Sequence, residues 1–248
     1  METKTLFITA FIDLHVTIPE LKSDSVRLDH FISLARTGID LLVFTSPKYC
    51  ETIQNICVKY QNVRIQRILE LNNTYSWAVM SPYKENLPQR RNIIKDSFEF
   101  LTLMNAKLEF VDEAIQTVDY PQYAWIDFNI FHILSVETSS QQLRKLARMP
   151  LSNNKVYIPG CWSSGNNLWD EISWRFCGGF FIGTKKAVKE FTIMYLTHIA
   201  DIIKKNQKLT WEVNIWALLE QSYGWQPEWY YGNHDSTILN VESKQSNT

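Results

Sequence analysis

The sequence lacks an excess of basic residues, because 25 lysines and arginines are balanced by 26 acidic residues and the formal net charge is −1. Non-specific nucleic-acid binding depends on a basic surface, so no nucleic-acid partner is predicted. The sequence also has no apolar run near the ~20 residues of a membrane span, and no basic stretch leading into an apolar leader. These absences predict a cytoplasmic protein without a membrane span.

Cysteine and glycine are scarce. The four cysteines (Cys50, Cys57, Cys161 and Cys177) fit no zinc-ligand spacing, and we predict reduced thiols. The segment "FIDLHVTIPELKSDS", which follows the first predicted strand, contains no glycine. That absence argues against a glycine-rich phosphate loop. Aromatic residues are plentiful, and the nine tryptophans and eleven tyrosines offer ring faces for a base, a sugar or the core.

Apolar and amphipathic segments alternate along the chain, which is typical of a parallel sheet with helices on its faces. Strands are predicted at 4–14, 39–46, 62–71, 123–134, 155–162 and 175–184, and helices at 27–38, 49–61, 94–115, 139–149, 185–205 and 211–221. The polar stretch 72–90 is predicted to be a long loop or an irregular insertion, and 163–167 to be a polar loop. The segment 224–238 is predicted to be rich in turns and 241–248 to be a flexible tail. The predicted fold class is α/β, with a mixed, mainly parallel sheet in one domain.

An aspartate interrupts the apolar segment "YAWIDFNIFHIL". Buried carboxylates are uncommon unless they are paired or bind a metal. Asp127 follows a predicted strand, and ligands of open α/β sheets bind beyond the carboxyl ends of strands. In a continuing strand Asn129 would lie on the same side, and two oxygen donors suit Mg²⁺ or Mn²⁺. The alternative is an aspartate that caps a turn.

Three segments carry a resemblance to a known family: "AWIDFNIFHI", "SWRFCGGFFIG" and "WEVNIWALL". With these segments in this order, the chain resembles the HtrL/YibB family of bacterial and viral proteins. It is also similar to glycogenin-like glycosyltransferases of the GT-A type. The resemblance runs from about Lys4 to Ile238. It implies a GT-A-like domain over 1–240, with a nucleotide-binding half at 1–135 and a donor-sugar and acceptor half at 136–240. The implied reaction transfers sugar from a nucleoside diphosphate sugar, above all a UDP-sugar, to a glycan, lipid-linked or protein acceptor.

The resemblance also implies roles for particular residues. Asp127 matches the first acid of an Asp-x-Asp motif that binds metal and nucleotide, but Asn129 replaces the second acid and is a weaker ligand. His234 corresponds to a late histidine that completes the site for Mn²⁺ or Mg²⁺. Lys107 is assigned to the nucleotide sugar, or else is a solvated lysine of a helix. The remaining nucleotide-binding positions are Thr9, Ala10, Phe11 and Thr45.

The donor-sugar pocket is assigned to residues of the second half. Gly178 and Gly179 would let the backbone approach the sugar, or would form a β-bulge. Trp211 and Asn214 are assigned to the sugar. Glu212 and Asp127 are the two catalytic candidates. Glu212 is the general base if the reaction inverts the anomeric centre. The alternative is that Glu212 is an acidic residue in the first turn of a helix that complements the helix dipole.

Two other functions stay open at this point. A catalytically inactive nucleotide- or carbohydrate-binding protein of the same fold is compatible with Asn129 in place of an acid. A sugar nucleotidyltransferase would use a similar sheet and a metal, although the glycine-free segment after the first strand argues against it. A purely structural protein is disfavoured by the polar residues at predicted strand ends.

Overall fold

A seven-stranded sheet with the strand order β3-β2-β1-β4-β6-β5-β7 runs through the computed structural model, which describes residues 4–16, 22–151, 154–162 and 168–241. The strands are β1 (Thr5–Phe11), β2 (Leu41–Thr45), β3 (Val63–Ile68), β4 (Gln122–Ile126), β5 (Tyr157–Gly160), β6 (Phe180–Thr184) and β7 (Glu228–Tyr231). Only β6 among them pairs antiparallel with its neighbours, β4 and β5. The mixed, mainly parallel sheet that the sequence predicts is therefore confirmed.

Helices cover both faces of the sheet. They are α1 (Asp24–Ala35), α2 (Cys50–Lys59), α3 (Tyr75–Met80), α4 (Phe98–Asn105), α5 (Lys107–Thr117), α6 (Val136–Leu146), α7 (Lys185–Asn206) and α8 (Glu212–Ser222). Successive residues of β1 point to opposite faces, so Leu6 and Ile8 join the core under α5 and α7, while Phe7 and Phe11 join the core under α1 and α2. None of the described helices is long and apolar enough to cross a bilayer.

The predicted continuous helix from Ile94 to Ile115 is wrong. Ile94 lies before the start of α4 and is 52% exposed, and the predicted helix is divided into α4 and α5. The amide nitrogen of Asn105 at the break donates to the carbonyls of Leu101 and Thr210, and the Tyr195 hydroxyl donates to its side-chain oxygen. These bonds hold a buried polar side chain at the end of α4, and Lys107 then opens α5.

Several other predicted boundaries need correction. The predicted loop at 72–90 contains α3, where the Glu109 carboxylate accepts the backbone N–H groups of Tyr75 and Ser76. The turn-rich stretch at 224–238 contains β7, and α6 begins at Val136 rather than at Ser139. Val241 is fully buried, so the predicted flexible tail does not begin there, and 242–248 lie outside the described residues. The predicted loop at 163–167 lies outside them as well.

All strands except β6 run in the same direction, so their carboxyl ends meet at one side of the sheet. We call this side the carboxyl edge. It is formed by the ends of β1, β2, β4, β5 and β7 and by the glycine pair before β6. The strand ends are Phe11, Thr45, Ile126, Gly160 and Tyr231, and the pair is Gly178 and Gly179.

Candidate functional site

Asp127 lies directly after β4 at the carboxyl edge, as the sequence predicts. Its backbone N–H donates to the Gly179 carbonyl at 2.9 Å, which ties the end of β4 to the start of β6. One carboxylate oxygen, Oδ1, accepts the indole N–H of Trp125 at 2.7 Å and lies 3.1 Å from the Lys107 ammonium. The side chain is nevertheless 32% exposed. Asp127 is therefore a fixed, partly solvated carboxylate.

Lys107 is buried at the start of α5 and is 2% exposed. Its ammonium donates to the Gly178 carbonyl at 2.8 Å and to Glu212 Oε1 at 2.9 Å, and it pairs with Asp127. Burial by itself would lower the pKa of Lys107, but the charges of Asp127 and Glu212 raise it above its ordinary value. Since an ammonium has three N–H donors, all are used. The predicted contact with the nucleotide sugar is corrected: Lys107 positions two carboxylates instead.

Glu212 begins α8 and is 5% exposed. A Cβ added at Gly178 would lie 2.3 Å from Glu212 Oε1, so a side chain at this position would displace the carboxylate. A general base has to reach the proton of the acceptor. Burial and the bond to Lys107 instead favour Glu212 as a group that holds Lys107 in place, and the predicted role as general base gains no support.

Asn214 and Trp211 are interior residues. Asn214 is fully buried, and its amide nitrogen donates to Leu168 O, Glu171 O and Thr210 Oγ1 at 2.8–2.9 Å. Its oxygen accepts the backbone N–H of Ser173 at 2.7 Å. Trp211 is 4% exposed. The predicted sugar contacts of both residues are therefore corrected, because Asn214 has no free donor and binds the segment before β6 to α8.

The four positions assigned to the nucleoside also point into the fold. Thr9, Phe11 and Thr45 are fully buried, and Ala10 is 9% exposed. The Phe11 ring stacks on Tyr49 and Phe128 at centroid distances of 4.1 and 4.2 Å, which leaves it in the core rather than facing a base. Thr45 Oγ1 donates to the Phe11 carbonyl at 3.2 Å. These residues shape the end of the sheet instead of lining its surface.

Polar residues that the sequence analysis missed lie beside these strand ends. The Arg27 guanidinium of α1 sits 4.6 Å above the Phe11 ring. Burial lowers the pKa of Arg27, while the charges of Asp24, Tyr49 and Asp127 oppose that shift. The Lys48 ammonium is 3.1 Å from Asp13. Arg27 could have been found from its spacing, since it lies four residues before the buried Phe31 on the apolar face of α1.

The predicted pairing of Asp127 with Asn129 is wrong. The strand ends at Ile126, and the chain turns, with the Ile130 N–H donating to the Asp127 carbonyl at 2.9 Å. Asn129 therefore leaves the side of Asp127, and its side-chain oxygen lies 2.5 Å from the Nδ1 atom of His30. An amide oxygen held in this way does not fit the second ligand position of an Asp-x-Asp motif.

Two histidines come together at the same edge. His132 follows β4 and His234 follows β7, and their Nε2 atoms are 3.3 Å apart. Burial lowers the pKa of His132, and the hydrogen bond to the Asn129 carbonyl opposes that shift only in part. No cluster of three or more histidine, cysteine or acidic residues with metal-binding geometry occurs within the described ranges. Of the three predicted ligands, Asp127 and His234 still fit a divalent cation, because a carboxylate oxygen and an imidazole nitrogen are common metal donors.

Comparisons with known proteins give likenesses of fold only. No protein-family model matches the chain, and no curated protein matches its sequence. A 4-diphosphocytidyl-2C-methyl-D-erythritol synthase from Anaerococcus prevotii aligns with 99% of this chain and 97% of its own, at 13% identity and a TM-score of 0.46. Mouse xyloside xylosyltransferase 1 aligns with 94% of this chain and 86% of its own, at 6% identity and a TM-score of 0.45.

The glycosyltransferase GlyE of Streptococcus pneumoniae is similar over 93% of this chain, at 11% identity and a TM-score of 0.47. The alignment spans only 45% of the GlyE chain. Glycosyl- and cytidylyltransferases thus both occur among the proteins of similar fold. At these identities and scores the likenesses do not choose between the two activities, and membership of the HtrL/YibB family stays a prediction.

Proposed function

We propose that this protein is a glycosyltransferase that moves a sugar from a nucleoside diphosphate sugar, above all a UDP-sugar, to a hydroxyl of a glycan, lipid-linked or protein acceptor. The observation that carries the proposal is Asp127, a partly exposed carboxylate fixed beyond β4 by Trp125 and Lys107. Beyond the carboxyl ends of strands is where open α/β sheets bind ligands. The sequence resemblance to GT-A enzymes supports a nucleoside diphosphate sugar as the donor substrate.

The chain's own residues would act mainly by orientation and charge. Asp127 would hold the donor at the end of β4, and binding both substrates at one edge would favour reaction by positioning. Arg27 and Lys48, which are paired with Asp24 and Asp13, place two cationic groups beside the end of β1, where the anionic leaving group would lie. A bound Mn²⁺ or Mg²⁺, held by Asp127 and His234, would supply further stabilisation of diphosphate charge.

A thermal-shift experiment tests the proposal. Purified protein is melted with UDP, GDP or dTDP, with and without Mn²⁺, and we expect at least one nucleoside diphosphate to raise Tm. Asp127→Asn keeps the size of the side chain and removes its charge, so it should abolish the shift. Asp201→Asn, an exposed position on α7, is the matched control and should respond like the wild type. The proposal fails if no nucleotide stabilises the wild type.

Product analysis separates the glycosyltransferase from its two alternatives. Slow hydrolysis of a UDP-, GDP- or dTDP-sugar, lost in Asp127→Asn, supports glycosyl transfer. Nucleotide or sugar binding without hydrolysis of any donor would favour an inactive binding protein. Release of pyrophosphate from a nucleoside triphosphate and a sugar phosphate would instead identify a nucleotidyltransferase. Each result names one of the three functions.

A further inference from the structure

His132 and His234 present their Nε2 atoms to each other across the carboxyl edge. The two atoms are 3.3 Å apart, although the residues are separated by 102 positions. The rings meet at an angle of 62°, with their centroids 5.2 Å apart. Both side chains are exposed, so an ion from solution can reach them. The sequence resemblance assigns His234 to a metal but gives His132 no role in binding one.

A backbone carbonyl sets the tautomer of His132. Its Nδ1 atom lies 2.7 Å from the Asn129 carbonyl, which can only accept a hydrogen bond, so Nδ1 carries the proton. The lone pair of neutral His132 is then on Nε2, the atom that faces His234. Metal-bound histidines commonly donate their other ring N–H to a carbonyl or carboxylate, which fixes the ring in its ligating orientation.

The turn after β7 is equally well fixed. The backbone N–H of His234 donates to Asn233 Oδ1 at 2.8 Å, and the Asn233 N–H donates to Thr237 Oγ1 at 2.8 Å. Asp235 Oδ1 accepts the backbone N–H of Thr237 at 2.8 Å. His234 thus lies in a turn that three hydrogen bonds hold in place. The distance between the two imidazoles is therefore set by the fold.

The spacing matches two nitrogens bound to one ion. Metal–nitrogen bonds of about 2.1 Å that meet at octahedral or tetrahedral angles place the nitrogens about 3.0–3.4 Å apart. We propose that His132 and His234 form a two-nitrogen site for a divalent transition metal, in which His132 takes the place that Asn129 was expected to fill. Asn129 contributes its backbone carbonyl to His132, while its side chain contacts His30.

The donor set also predicts which metals bind. Imidazole nitrogens suit Zn²⁺, Co²⁺ and Ni²⁺, whereas Mg²⁺ prefers an all-oxygen shell. The site therefore selects a transition metal over Mg²⁺, with the open positions left to water, to Asp127 or to diphosphate oxygens. Only the last of these rests on the proposed function, because the two histidines need no nucleotide to bind an ion.

Co²⁺ titration of the nucleotide-free protein tests the site, with visible absorption and calorimetry as readouts. We expect one equivalent to bind to the wild type and excess Mg²⁺ to leave it bound. His132→Gln and His234→Gln should each weaken Co²⁺ binding by about tenfold or more, since even changes to second-shell partners cost 10–100-fold. His198→Gln is the matched control, because the His198 ring packs on Tyr223 and not on either histidine of the pair. This variant should bind Co²⁺ as the wild type does.

A second measurement leaves the sequence unchanged. Binding of one equivalent of Co²⁺ should broaden or shift the ring NMR signals of His132 and His234 and spare that of His198. Wild-type affinity in His132→Gln, or unperturbed His132 signals, would overturn the proposal. Equal loss of affinity in Asn129→Ala and His132→Gln would overturn it too, by restoring Asn129 as a ligand. Because no nucleotide is present, failure here leaves the glycosyltransferase proposal standing, and the reverse also holds.

Discussion

Replacing Lys107 by methionine tests the buried charge cluster that fixes Asp127. Methionine keeps most of the apolar stem and removes the ammonium, which donates to Glu212 at 2.9 Å and pairs with Asp127 at 3.1 Å. The carboxylate of Glu212, which is 5% exposed, would then be a buried charge without its partner. Breaking a buried pair in this way costs about 3–5 kcal/mol. For a domain of this size that lowers Tm by about 6–20 °C.

Urea denaturation gives the free energy of unfolding of each variant. The double variant Lys107→Met/Glu212→Gln removes both buried charges, so we expect it to be more stable than Lys107→Met alone. With Glu212→Gln as the second single variant, the double-mutant cycle should give a coupling energy of about 0.5–3 kcal/mol. Lys204→Met, at an exposed position in the last turn of α7, is the matched control and should change stability by less than about 0.5 kcal/mol.

Two results would refute this reasoning. If Lys107→Met unfolds at the same urea concentration as Lys204→Met, the ammonium is not the partner of two carboxylates. If the double variant is no more stable than Lys107→Met, the unpaired charge of Glu212 is not what destabilises the single variant. Imperfect packing of methionine in place of the buried lysine stem would then be the better explanation.

Asn214→Ala should destabilise the protein by about 3 kcal/mol or more in urea denaturation, because it removes four hydrogen bonds, three of which have buried partners; a loss below about 1 kcal/mol would contradict those bonds. The bond to Glu70, followed by the charge of Asp13, raises the pKa of His15. Stability from this pair is present below about pH 6.5 and is lost as pH rises through the higher folded-state pKa. NMR titration should show the His15 pKa falling in Glu70→Gln; an unchanged value would rule out the pairing.

Strong local patterns made part of the fold predictable. The helix predicted at 185–205 is α7, Lys185–Asn206, because its periodicity is long and Thr184 caps its start. The position of Asp127 after β4 was predictable for a similar reason, since a polar residue ends a run of apolar ones. The break at Asn105 was not, because two of its partners, Tyr195 and Thr210, are distant in sequence.

The site was less predictable than the fold, because its geometry depends on contacts between distant segments. Reading Asn129 as a partner of Asp127 assumed that β4 continues, whereas the turn at Ile130 sends the two side chains apart. His132 has no local signal, and its partner His234 comes from the end of β7. The sequence places Lys107 on a helix before β4, but the atoms that its ammonium contacts depend on α8 and on the segment at Gly178.

The charges around Asp127 connect the cluster to the histidine pair. Asp127 and Glu212 carry two negative charges, and Lys107 compensates only one, so the end of β4 keeps a net negative charge. A diphosphate is itself anionic and would be repelled there unless a cation joined it. Arg27 approaches from α1 but also faces Asp24, at 3.8 Å. Imidazoles that bind a divalent ion would reverse the sign of the charge at this edge, and we therefore expect nucleotide binding to depend steeply on the metal.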